Sequence, residues 1–97
     1  KLGALCSKIA DEEHRNFCYI GVGRMAAQAV DYDVEKTIEE CAKMPSGERN
    51  IALCRAGGFL SMFDSKQDRS FLSMCSGLTQ ASTMLCIKRA QMFSGQQ

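Results

Sequence analysis

Ninety-seven residues, 45% hydrophobic and 24% charged, make one small domain, too short for two ordinary cores and too apolar for a disordered tail. A net charge of +1 excludes a general attraction to nucleic acid or anionic membrane, and no apolar run approaches the ~18 residues of a membrane helix. A domain of this size buries only about two-thirds of its unfolded surface and needs help to be stable. Six cysteines are the candidates for that help. The chain begins at Lys1 and shows no signal peptide, which reads as a processed or excised form.

In chain order, a first helix is expected near 2–10. Asp11, Glu12 and Glu13 then place carboxylates at the start of a second, near 12–29, where the helix dipole favours them. His14 lies among charges in DEEHR and reads as a surface residue, since a general base needs an oriented partner. GVGRMAA at 21–27 lacks the strand, third glycine and lysine of a nucleotide loop, so its glycines read as packing positions. A third helix near 33–45 carries Val34, Ile38, Cys41 and Pro45 on one face and a salt-laced face of Glu35, Glu39, Glu40, Lys36 and Lys43. Pro45-Ser46-Gly47 ends it. Ser46 is the expected cap of a fourth helix near 47–63, with Glu48 in its first turn. Ser65 and Asp68 have capping-box spacing and predict a fifth helix near 65–77. A sixth near 80–94 is apolar around much of its surface, with Lys88, Arg89 and Gln91 as a narrow polar strip. No stretch alternates with period two, so no sheet is expected.

The cysteines bracket three stretches, CSKIADEEHRNFC (6–18), CAKMPSGERNIALC (41–54) and CSGLTQASTMLC (75–86). First cysteines recur after 35 and 34 residues, second cysteines after 36 and 32, and each second cysteine follows Phe or Leu. That is a repeat in the solenoid range, with units of about 1–30, 31–63 and 64–97 in a single domain. Zinc wants Cys or His pairs two to four residues apart, and a dithiol redox site wants Cys-x-x-Cys. Neither pattern occurs, so no metal or other cofactor is expected. Six free buried thiols, or bonds from Cys18 to Cys41 and Cys54 to Cys75, are rival arrangements. Residues equidistant from the turn of an antiparallel helix pair face each other, which favours Cys6–Cys18, Cys41–Cys54 and Cys75–Cys86. The expected fold is therefore all-α: three antiparallel helical hairpins, each stapled by a disulfide, stacked as a short α-solenoid. Lasting disulfides imply an oxidising space, periplasmic or extracellular.

Hairpins at this period resemble the Sel1-like and tetratricopeptide classes of α-solenoid. Gly21 and Gly57, each three residues after a cysteine, match the small residue at which such helices cross, and Ala27 and Pro45 fall near the small residue and closing proline. The third unit departs from the pattern with Arg89 in the glycine position. The resemblance implies an envelope location.

No nucleophile, base and orienting group converge in the sequence, so an enzyme is not expected. A non-catalytic protein-binding module is: a subunit or adaptor of an envelope complex, or an inhibitor or immunity protein. Arg24, Arg55, Phe59, Met62 and Phe63 on second helices are the expected contacts. Met92 and Phe93 are expected to be covered by a partner chain or by self-association, because an apolar terminal helix invites it. The alternative is a secreted helical carrier whose Met, Phe and Leu side chains enclose a small apolar ligand.

Overall fold

The computed structural model describes residues 2–66 and 71–94. Among the described residues six helices alternate short and long: α1 (Leu2–Cys6), α2 (Glu12–Ala29), α3 (Val34–Cys41), α4 (Glu48–Lys66), α5 (Phe71–Cys75) and α6 (Gln80–Ser94). No strand occurs among the described residues, and the chain is all-α. Cys6 is bonded to Cys18, Cys41 to Cys54 and Cys75 to Cys86, with Cα separations of 5.5, 5.5 and 5.6 Å. Each bond joins a short helix to the long helix after it.

Every short helix ends at its cysteine and is shorter than the sequence pattern predicts. Past Cys6 and Cys41 the backbone tightens into i+3 turns, with Ile9 donating to the Cys6 carbonyl and Met44 to that of Cys41. The chain reverses there. Asp11 caps α2 by accepting from the His14 N–H at 2.9 Å, and Asp33 caps α3 by accepting from the Lys36 N–H at 2.9 Å. Ser46 does not cap α4. It takes φ +70°, and Gly47, at φ +103°, supplies the carbonyl that accepts from Ile51. Two left-handed residues in a row reverse the chain after Pro45, and glycine enters that region without steric cost. Ser65 lies inside α4, so it starts no fifth helix, and Asp68 is outside the described residues.

α4 packs against both α2 and α6. Residues 52–54 and 56–62 form a nearly continuous buried run, so the middle of this helix, Arg55 and Ser61 apart, is apolar on every side, as a central helix must be. Tyr19, Leu53, Phe59, Leu60 and Met74 fill the core together with the cystines. The α2–α4 crossing brings backbone to backbone. A Cβ on Gly23 would overlap the Cys54 carbonyl, and one on Gly57 would overlap the carbonyl of Ile20. The sequence reading is right about Gly57 and wrong about Gly21, whose Cβ would meet nothing within 4 Å. Two residues turn a helix by about 200°, which carries Gly21 to the side away from α4.

Arg49 meets Asn16, Gly57 meets Ile20 and Ser61 meets Arg24, so α2 and α4 run in the same sense. α6 then reaches over α4 to α2. The Arg89 guanidinium donates to both oxygens of Glu13 at 2.8 and 3.2 Å, and the rings of Phe17 and Phe93 meet edge-on with centroids 5.5 Å apart. The radius of gyration is 11.8 Å, near the roughly 12–13 Å of a compact chain of this length.

Candidate functional site

α2 presents two faces. Ile20, Gly23 and Ala27 turn toward the core, while Phe17 and Met25 stay exposed on the other side. That outer face borders two grooves, one on each flank.

The first groove, of about 400 Å³, separates α2 from α6. Phe17 and Gly21 form one wall, Phe93 the other, and Ile20 and Leu60 the floor. An ion pair between Arg24 Nη2 and Asp64 Oδ2, at 2.7 Å, closes one end. The Glu13–Arg89 pair beside it fixes the α6 wall, and the Arg89 side chain is only 13% exposed. Hydrogen bonding from Arg89 holds the Glu13 carboxyl below its ordinary pKa, against a smaller opposing effect of burial.

The second groove, of about 600 Å³, is apolar and opens on the other flank. Val22, Met25, Ala26 and Ala29 of α2 line it, together with Gly3, Met44 and Pro45, which lie against one another. Lys43 and Glu40, paired at 3.0 Å, sit on its rim. It exists because the layer of short helices has a gap. α3 packs on α5, whereas α1 packs on α2 and not on α3, its Gly3 lying against Met44 and Pro45 just past the end of α3.

A polar cluster ties α4 to the turn between α5 and α6. The Glu48 carboxylate accepts from the Thr79 hydroxyl at 2.6 Å and from the Thr79 N–H at 3.3 Å, at the start of α6. These bonds, led by the Thr79 hydroxyl and joined by Ser82, lower the Glu48 pKa. Arg55 Nη1 donates to the Ser76 carbonyl at 2.6 Å, while its Nε is buried without a hydrogen-bond partner. Burial lowers the Arg55 pKa, with Glu48 opposing.

The expected contact residues divide. Phe59 and Met62 are core side chains, 0% and 2% exposed, and a buried group cannot meet a partner. They fall on the one long helix that has neighbours on two sides. Arg55 is tied to the α5–α6 turn, Arg24 is paired with Asp64, and Phe63 is half-buried and stacked on Phe59. Met92 and Phe93 are exposed, at 53% and 42%. Phe17, Met25 and Asp64 were missed. Phe17 precedes a cysteine as Leu53 does, and only the position of its helix at one edge leaves it uncovered.

His14 stands at the surface, its Nδ1 3.1 Å from the Asp11 carboxylate that caps its own helix. No cluster of three or more His, Cys, Asp or Glu converges among the described residues. None of their helices is long and apolar enough to cross a membrane. Three intramolecular disulfides are typical of proteins that mature in oxidising compartments. Comparison with known proteins finds no match among family models, curated proteins or solved structures.

Proposed function

We propose that this chain is a non-catalytic protein-binding module of the periplasm or extracellular space, built as a three-unit α-solenoid curled tightly on itself. The repeated short–long hairpins and the common sense of α2 and α4 support the solenoid reading. One observation carries the binding reading: exposed large apolar side chains concentrate on the two outer long helices. Phe17 and Met25 lie on α2, and Met84, Met92 and Phe93 on α6. Aromatic and Met side chains with an Arg beside them are the composition of a protein-binding hot spot. The module docks its partner over the groove between α2 and α6, with Phe17 and Phe93 as anchors and the Arg24–Asp64 pair at the rim. An envelope-complex adaptor and an inhibitor of another protein both fit such a surface.

Site-specific photo-crosslinking in cells that make the chain tests this. A crosslinker at position 93 or 17 is expected to capture one partner protein, and one at the exposed Lys36 of α3 to capture none. Equal capture from all three positions overturns the assignment. If the captured protein is a second copy of the chain, the partner is the chain itself.

The 600 Å³ apolar groove favours a second reading, a carrier of a small apolar ligand, since its volume lies within the range of small-molecule sites. Native mass spectrometry separates the two. A retained small molecule that is lost on Ala26→Glu supports the carrier.

A further inference from the structure

We propose that α1 is a flap latched by the Cys6–Cys18 disulfide, and that a dithiol reductant opens it by reducing this bond ahead of the other two. The inference does not depend on which partner the module binds.

The three bonds differ in protection. Cys41, Cys54, Cys75 and Cys86 are fully buried, while Cys18 alone among the six half-cystines retains surface toward solvent. Thiol–disulfide exchange requires a thiolate to reach a sulfur, and the accessible bonds of a protein are its labile ones. Approach is from the Cys18 side, because Cys6, the last residue of α1, is fully buried.

Among the described residues α1 packs on one helix, α2, with Gly3 lying against Met44 and Pro45. It is five residues long, far below the length at which a helix persists by itself. Ala4 and Leu5 are exposed, and Gly3 and Cys6 are its buried residues among those described. By contrast, α3 and α5 pack on each other as well as on α4, so the two inner bonds staple helices already held by their neighbours. The segment after α1 is anchored separately, by Arg15 Nη1 donating to the carbonyls of Ile9 (2.8 Å) and Ala10 (3.1 Å). These bonds lie beyond Cys6 in the chain. They form a hinge that survives when the latch is cut.

In the reaction, one thiolate of the dithiol attacks Cys18 Sγ, the bond to Cys6 breaks, and Cys6 leaves as a thiolate that takes a proton. The second thiol of the reductant then attacks the mixed disulfide, freeing Cys18 as a thiol and leaving the reductant as a disulfide. Two electrons pass to the protein. With α1 displaced, the apolar groove loses its Gly3–Ala4 wall, and Val22, Ala26 and Met44 lose cover beside the already exposed Met25.

The test is a dithiothreitol titration of the native protein, quenched by alkylation and mapped by peptide mass spectrometry. Far-ultraviolet circular dichroism and anilinonaphthalene sulfonate fluorescence are followed in parallel. Cys6 and Cys18 are expected to label together, at least about tenfold faster than the other four, with dye fluorescence rising and most helix retained. A Cys6→Ser, Cys18→Ser variant is expected to bind the dye without reductant. Simultaneous reduction of all three bonds, earlier reduction of either inner bond, or selective reduction without dye binding overturns the proposal. The wild-type titration decides it even where the variant does not fold.

Discussion

Gly23 and Gly57 have no alternative at their positions, because the atoms in the way are backbone carbonyls of the facing helix. Overpacking a core typically costs ~1–3 kcal/mol, and backbone yields less readily than a side chain. Gly23→Ala and Gly57→Ala are therefore expected to destabilise at the top of that range, about 3 kcal/mol. Gly21→Ala is expected to do the opposite. It meets open space within α2, so the higher helix propensity of alanine adds up to about 1 kcal/mol. Urea titration of the three variants checks both signs. A uniform loss would show that the crossing is not where these residues place it.

Glu13 and Glu48 are the carboxylates whose folded pKa lies below the ordinary value, through Arg89 and Thr79 respectively. A depressed acid stabilises fully above its unfolded pKa, and that contribution is lost as pH falls through the folded one. The urea midpoint is thus expected to decline below about pH 4.3, the ordinary Glu value. A Glu13→Gln, Glu48→Gln variant should start lower at neutral pH and decline less.

At the scale of elements, α5 and α6 are placed by contacts that no local pattern encodes. Glu48, at the start of α4, reaches the first turn of α6, so one helix supplies the cap of another. Thr79→Ala removes one hydroxyl that makes two bonds, donating to Glu48 and accepting from the Ser82 N–H at 3.4 Å. The expected cost is about 1–2 kcal/mol, the range of lost N-caps. Arg89 plays the same part at the other end of α6, where it meets Glu13. A double-mutant cycle between Glu13→Ala and Arg89→Ala is expected to be non-additive. Additive melting shifts would mean that α6 does not reach α2.

For the whole molecule, size makes the staples decisive. The buried Cys41–Cys54 bond joins two helices at the centre of the fold and closes a loop of 13 residues in sequence separation. Its removal by Cys41→Ala, Cys54→Ala is expected to cost on the order of 3 kcal/mol, a large share of the 5–15 kcal/mol typical of a domain (roughly). Thermal melting of the variant against wild type measures it. The exposed Phe17–Phe93 pair should matter far less to folding, about 0.5–1.5 kcal/mol for the ring contact, and much more to binding. Phe17→Ser, Phe93→Ser is therefore expected to stay folded and to lose its partner.

The sequence alone showed the helical class and the approximate spans of the long helices, and it favoured the disulfide pairing that the structure has over its rivals. Those properties are local. Caps, helical spacing and symmetry about a turn all act within about a dozen residues, and they leave their marks there. Tertiary structure decided which repeat-equivalent residue is covered. Phe17, Leu53 and Leu85 each precede a second cysteine, yet Leu53 is fully buried while Phe17 is exposed. Likewise Gly21, Gly57 and Arg89 share one repeat position, and they face open space, a backbone carbonyl and Glu13 in turn. The reason is geometric. Of the three long helices only α4 packs between the other two, and how α2 and α6 lean across it depends on contacts up to 76 residues apart in sequence.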